Sequence, residues 1–438
     1  MNADVIVIGA GAAGLSAARS LAARSLRVIV VEARDRMGGR VLSDPSVRTA
    51  VPAELGAEFI HGAAQETLDL LRDAGIAAVD TAGESWTRAD GDLRCDGEDM
   101  MSATSIFEGT RALAGDESVD RFLRRFEDDE TMREAVSAAR AFVEGFEAAD
   151  PAIASAQAIA GEVRSGVDFA IARPLGGYRP MFERLRDECA SAGVQSCLST
   201  IVQRISWRHG AVAVTARSRE ADAQTIHARA AIVTLPVGVL RHRGDETEVV
   251  FDPELPAAKR EALRNIEMGH AVKVALWFRT AFWERIRNGR YRDGAFFRCL
   301  GQPFPVYWTQ LPVRSELIVA WSGGPKAVVL SEDSQADLIE RALEGFGALL
   351  GEPALARKEF ESGVVHDWGH DPFARGVYSY VAVGGGDARV ALAAPVDDTL
   401  FFAGEATSND GQGGTVNGAL ETGERAARQA ATALGVTV

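Results

Sequence analysis

Cysteine is scarce. The chain has four (Cys95, Cys189, Cys197 and Cys299), and no two form a CxxC pair. They read as reduced thiols of a cytoplasmic protein. No Lys/Arg-rich run occurs and the net charge is −15, which argues against nucleic acid as a partner. That charge is at most a faint hint of a cationic ligand. No apolar run reaches the length of a membrane span, so no membrane partner is expected. The N-terminus lacks a basic n-region and its apolar stretch reads as a strand, so a signal peptide is not expected. No Ser/His/Asp or Cys/His nucleophile signature is present. His366 and His370 stand four apart in His-Asp-Trp-Gly-His, a glycine-containing, Pro-flanked segment that is a poor helix, so no metal is expected.

At 438 residues, 47% hydrophobic and 25% charged, the chain is globular and long enough for two domains. Its first forty residues carry the sharpest local pattern. Val5-Ile-Val-Ile-Gly-Ala-Gly-Ala-Ala-Gly14 reads as a strand, a tight turn and the start of a helix over 12–25. The next apolar run, Val28–Val31, ends in Glu32. Gly9 permits the sharp turn, Gly11 a close backbone approach to a pyrophosphate, and Gly14 close packing of the helix on the sheet. The helix N-terminus, at Ala13, offers free N–H groups and positive potential to phosphate. Glu32 lies where a carboxylate takes both hydroxyls of a ribose. The pattern predicts dinucleotide binding with a free 2′-hydroxyl.

The continuation Glu32-Ala-Arg-Asp-Arg-Met-Gly-Gly-Arg40 adds a second glycine pair and an arginine able to clamp a diphosphate. A nicotinamide dehydrogenase does not need this second clamp. Near the other end, Phe402-Ala-Gly404-Glu405 leads through a glycine-rich turn to Thr415 and Val416, where a long helix begins. Such a helix start would stabilise negative charge on a reduced flavin. Dense glycines cost stability unless a ligand approaches.

Between these ends, 67–166 reads as helical, polar and alanine-rich with few strand signals. A helix is expected over Met181–Ala192. Strands are expected over Thr200–Ser206, Ala211–Thr215, Ala228–Leu235, Gly269–Phe278, Leu317–Trp321 and Leu400–Glu405, and helices over Gln335–Leu350 and Thr415–Leu434. The two kinds of segment interleave. The expected fold is α/β, with a discontinuous Rossmann-like FAD-binding domain of the GR2 type (1–66, 167–245, 360–438). An α+β substrate-binding domain (67–166, 246–359) is inserted in it.

These blocks, in this order, resemble the flavin-dependent amine oxidases of the monoamine oxidase, polyamine oxidase and lysine-demethylase superfamily. The resemblance covers nearly the whole chain, except the inserted segment 67–165. It implies FAD as cofactor, an amine substrate and O2 as acceptor. By match, Gly9, Gly11, Gly14, Glu32, Arg34, Gly39 and Arg40 are ADP-binding positions, and Val202 gives a backbone contact to adenine. Gly56, Ala57, Glu58 and Phe59 lie beneath the flavin ring, and Glu405, Thr415 and Val416 beside it. Lys273, in an apolar strand where a lysine needs a partner or a water, matches the lysine that holds a water against the flavin. Trp368 and Tyr378 match aromatic residues lining the substrate cavity, and His61 a substrate-channel histidine of animal polyamine oxidases.

Two departures refine the expectation. Val377 stands where monoamine oxidases carry the cysteine joined to flavin, so the FAD should be non-covalent. Thr415 stands where they carry a second cage tyrosine. The motifs are more similar to polyamine oxidases and demethylases. The expected reaction is oxidation of an amine to an imine by hydride transfer to flavin, hydrolysis of the imine, and reoxidation by O2 to hydrogen peroxide. Glu58 is expected to hold a further charged nitrogen of a polyamine. The alternatives are a monoamine or N-methylated small-amine oxidase, then an L-amino-acid oxidase or FAD-dependent desaturase, and a flavin-binding interaction protein without turnover. The loop 54–62 has no arginine for a substrate carboxylate, which disfavours amino acids. Monomer and homodimer are both compatible with the sequence.

Overall fold

Val5–Ile8 and Val28–Val31 are apolar at every position because both faces of the sheet they form are covered. In the computed structural model, which describes residues 2–44, 51–89, 91–96, 104–165, 171–218 and 223–436, these strands are the centre of a five-stranded parallel sheet. Its order is Gln195–Cys197, Val28–Val31, Val5–Ile8, Ala230–Val233, Leu400–Phe402. The two-residue period divides each strand between two cores. Val5, Val7, Val28 and Val30 pack on one face with helices Ala12–Ala23, Arg179–Ser191 and Val416–Ala433. Ile6, Ile8, Ile29 and Val31 pack on the other against a four-stranded sheet, Gln224–Ala228, Ala211–Ser218, Thr200–Arg208 and Val250–Asp252.

A second large sheet has seven strands, in the order Phe360–Asp367, Ala271–Phe278, Leu317–Gly323, Val306–Trp308, Gly294–Arg298, Glu84–Ala89, Asp92–Asp96. Alternation again sorts its faces. Val272, Val274, Leu276 and Phe278 pack with helix Gln335–Leu350. Ala275 and Trp277 look the other way, toward Leu55 and Trp308, and Lys273 shares their parity.

Three expectations need correction. The stretch 67–166, read as helical with few strand signals, also holds the strands Ala78–Asp80, Glu84–Ala89 and Asp92–Asp96. They were illegible because two of them form a polar hairpin at a sheet edge, with no apolar run to mark them. Phe360–Asp367, expected with the FAD-binding segments, pairs with Ala271–Phe278 and belongs to the seven-stranded sheet. Conversely, Val250–Asp252 pairs with Thr200–Arg208, outside the inserted unit. The boundary drawn at 166/167 lies outside the described residues.

Close approaches set how the two terminal helices meet. Gly9 has φ +103°, which favours glycine, and a Cβ at Gly14 would lie 1.9 Å from the Gly9 carbonyl oxygen. A Cβ at Gly423, within helix Val416–Ala433, would lie 2.3 Å from the Ala13 carbonyl oxygen. The first and last helices therefore cross almost backbone to backbone. Gly423→Val should cost about 1–3 kcal/mol by overpacking this crossing. Thermal unfolding followed by circular dichroism would read this as a lowered midpoint; an unchanged midpoint would show that the helices part freely.

Candidate active site

One cavity of about 1170 Å³ runs between the two large sheets. Every residue expected at the site lines it except Gly14, whose missing side chain makes room for the Gly9 carbonyl instead.

At one end the strand Val5–Ile8 delivers the glycine turn. Gly11 is the N-cap of helix Ala12–Ala23 and provides no side-chain cap, so the helix start opens on the cavity. A Cβ at Gly39 would come within 3.2 Å of Gly11 Cα, so the two glycine loops touch by backbone. Glu32 is buried; its Oε2 accepts from the Ala10 amide at 2.7 Å and its Oε1 from the Arg34 amide at 2.9 Å. Burial pushes its carboxyl above the usual range, against the pull of those two amides. Val202 is buried in the cavity wall at a bulge of its strand. Arg34 lines the cavity, yet both terminal nitrogens are taken by Asp371, at 2.9 and 2.6 Å.

Midway, Arg40 donates to the Val377 carbonyl at 2.7 Å and to Glu405 Oε1 at 2.9 Å. Glu405 Oε2 accepts from Ser379 Oγ at 2.6 Å and the Gly414 amide at 3.2 Å. Burial alone would raise the Glu405 carboxyl; Arg40, Arg389 and Ser379 outweigh it and hold it low. Thr415 caps helix Val416–Ala433 by accepting from the Gly418 amide at 2.9 Å, which sets a second helix N-terminus beside Gly404 and Val416 on the cavity.

At the far end stands Lys273, 2% exposed. Its Nζ donates to Glu58 Oε2 at 2.7 Å and to the Gly56 carbonyl at 3.1 Å. Glu58 Oε1 accepts from Trp308 Nε1 at 2.9 Å and Gln310 Nε2 at 3.3 Å, and Arg173 Nε lies 3.2 Å away. Burial raises the Glu58 carboxyl, but Lys273 and Arg173 together bring it below its ordinary value. Glu58 is thus satisfied from four sides, and the expectation that it holds a charged substrate nitrogen is overturned. Its negative charge is already shared by two buried cations.

Aromatic rings wall this end. Phe59 lies 5.6 Å from Trp308 and 6.3 Å from Phe296 between ring centroids, and Trp308 lies 6.2 Å from Trp321. Trp368 donates to the Leu55 carbonyl at 2.8 Å. Tyr378 donates to the Phe146 carbonyl and covers Gly414, where a Cβ would lie 3.5 Å from its ring. The ring of His61 meets Phe146 edge-on at 5.3 Å; its Nδ1 is buried without a partner, and burial lowers its pKa to about 4. His61 therefore stays neutral near pH 7. His366 and His370 each face their own carboxylate, Asp371 and Asp367, rather than a common point.

The sequence reading missed Arg173, Trp308 and Gln310, which hold Glu58, and the helix Arg133–Gly145, whose Glu134, Ala138, Ala141 and Gly145 line the cavity along one face. Arg173 had a local signal, a charged residue beside the Pro-Leu-Gly-Gly turn. Trp308 and Gln310 had no local signal, and the helix lay in a stretch read as helical but carrying no motif.

The model of flavin-containing amine oxidoreductases matches residues 12–431. The chain belongs to that family. Among its relatives, polyamine oxidase 2 of Arabidopsis thaliana is 29% identical, the match covering 97% of this chain and 87% of the relative. Lysine-specific histone demethylase 1 homolog 2 of Oryza sativa subsp. japonica is 28% identical over 98% of this chain and 57% of its own length. In fold, a putrescine oxidase bound to putrescine superposes with a TM-score of 0.81 at 21% identity, covering 98% of each chain. Cyclohexylamine oxidase from Brevibacterium oxydans IH-35A gives 0.80 at 20%, covering 99% of this chain and all of that one. The fold class is therefore that of the flavin amine oxidases, with mixed α/β sheets. Among the described residues no helix is long and apolar enough to cross a membrane.

A flavin dinucleotide fits the residues present: two helix starts, side-chain-free backbone at Gly9, Gly11 and Gly39, and an acid at Glu32 share one elongated cavity.

Removing Glu58 strands two buried cations. Glu58→Gln should lower stability at pH 7 by about 3–5 kcal/mol. Because the folded carboxyl sits below its ordinary 4.5, its contribution is present above that pH and is lost as pH falls through the lowered value. The variant should therefore lose part of the wild type's acid-limb steepness in urea unfolding. A loss at pH 7 below 1 kcal/mol would show that the triad is not a unit.

Proposed function

We propose that the chain oxidises an amine with a non-covalent FAD, and that the amine carries a second, charged nitrogen, as in a di- or polyamine. The observation that carries the reading is the single cavity with the Gly9–Glu32 turn at one end and Lys273 at the other. In this reading the five-stranded sheet and its neighbours form the Rossmann-like FAD-binding part. The seven-stranded sheet forms the substrate-binding part.

The flavin, when bound, supplies the oxidising equivalent that takes hydride from the carbon beside nitrogen. The protein's part is orientation, dryness and proton placement. Glu32 takes the adenosine ribose, and the two helix starts face the diphosphate and the ring. Arg40 holds Glu405 and the Val377 carbonyl, and Val377 offers no thiol for a covalent link. The aromatic wall at Phe59, Phe296, Trp308, Trp321 and Tyr378 excludes water and favours a nitrogen that arrives neutral. His61, neutral itself, does not repel the amine. Lys273 keeps one N–H beyond those given to Glu58 and Gly56, and with it holds the water that hydrolyses the imine. Elsewhere on the wall, Glu134 and Glu144 of helix Arg133–Gly145 line the cavity, Glu144 paired with Lys326, and give that stretch polar groups. The aromatic wall also favours a second reading, an apolar monoamine.

Free alkylamines have a pKa of about 10.4, so few are neutral at pH 7. Anaerobic bleaching of the flavin by subsaturating spermidine should therefore rise between about pH 7 and pH 9. Spermidine or putrescine should outpace benzylamine. A flat profile would sink the neutral-amine mechanism, and faster benzylamine would put the monoamine reading in its place. Acid precipitation should release the yellow chromophore into the supernatant; colour held in the washed pellet would mean a covalent flavin.

A further inference from the structure

We propose that Arg389 is a positioning residue for the flavin site, holding Ser379, the neighbour of Tyr378, and through Ser379 the Glu405 carboxylate from behind. The inference rests on the flavin-dependent reading above. Arg389 lies on helix Ala388–Ala393, is 6% exposed and does not line the cavity. One terminal nitrogen donates to the Ser379 carbonyl at 2.9 Å and the other to Ser379 Oγ at 2.8 Å. Ser379 Oγ in turn donates to Glu405 at 2.6 Å.

On the cavity side Arg40 makes the mirror arrangement, donating to the Val377 carbonyl at 2.7 Å and to the other oxygen of Glu405 at 2.9 Å. Tyr378 is therefore held between two peptide carbonyls, each bound by a guanidinium, and both guanidinium systems end on the same buried carboxylate. The turn that leads to Thr415 is seated on the same group: a Cβ at Gly413 would lie 3.0 Å from the Arg389 guanidinium carbon. Glu162, of helix Ala156–Ser165, balances the charge at 3.1 Å. The guanidinium spreads these contacts over two nitrogens, one on the Ser379 carbonyl and Glu162 and the other on the Ser379 hydroxyl, which an ammonium would have to reach from a single nitrogen. Without the fork, Glu405 loses one of the two cations that keep it ionised, and Ser379 loses the guanidinium bound to its carbonyl and hydroxyl.

The test is FAD titration of apoprotein, followed by quenching of flavin fluorescence, with the melting temperature of each apoprotein measured alongside. Arg389→Met should raise the FAD Kd about 10-fold or more, and Arg389→Lys by a smaller factor. Ser379→Ala cuts the relay while keeping the arginine. It should weaken FAD as well, and the Ser379→Ala, Arg389→Met double variant should be no weaker than the worse single one. A lower melting temperature with an unchanged Kd in Arg389→Met would make the residue merely structural and overturn the proposal. Should Arg389→Met fail to fold, Ser379→Ala decides, and an unchanged Kd there overturns it too. Wild-type apoprotein that does not bind FAD would instead refute the flavin reading on which the proposal stands.

Discussion

The buried charge cluster of Lys273, Glu58 and Arg173 is the constraint on which the Lys273 end of the cavity is built. Each charge taken alone would cost several kcal/mol to bury. Together, and with Trp308 and Gln310 closing the remaining oxygen, they are tolerable only in one arrangement. That arrangement pins four separate pieces of chain: the strand Ala271–Phe278, the loop Glu54–Gly62, the strand Ile171–Pro174 and the end of Val306–Trp308. Arg173 extends the lock by donating to the Thr309 and Leu311 carbonyls and lying over Phe59. The aromatic wall is thus held by ions behind it rather than by packing alone.

At the other end the organising element is backbone without side chains. Two helices begin at the cavity, one at each end of the chain, and a glycine at their crossing lets them come together. Between the two ends Glu405 does for the middle of the site what Glu58 does for the lysine end: a buried acid shared by two cations, with loops hung on it. The site is an alternation of anionic pins and glycine gaps.

What was legible in the sequence was what is local. Gly9 to Glu32 spans one strand–turn–helix–strand unit, so its meaning survives without knowledge of the rest. Lys273 was visible because a charge in Ala-Val-Lys-Val-Ala-Leu-Trp-Phe breaks an apolar run. Glu58 was placed at the site but given the wrong work, since Arg173, Trp308 and Gln310 reach it from more than a hundred residues away. Arg389 left no trace, being one arginine in a short helix whose partners come from three other segments. The hairpin Glu84–Asp96 was lost because polar edge strands have no apolar signature.

The order of strands in the five-stranded sheet also governs how the molecule can be made. Its first strand, Val5–Ile8, lies between Val28–Val31 and Ala230–Val233, and the latter must receive Leu400–Phe402 before the sheet is complete. The first helix then waits for the last, Val416–Ala433, to cover it. During synthesis the opening βαβ unit emerges early, Gln195–Cys197 and Ala230–Val233 follow near mid-chain, and Leu400–Phe402 and the last helix arrive only after nearly all of the chain is out. The seven-stranded sheet needs nothing beyond Asp367 and can close first. The five-stranded sheet is therefore the last to be completed, and Ala230–Val233 waits for its outer neighbour through most of the second half of translation.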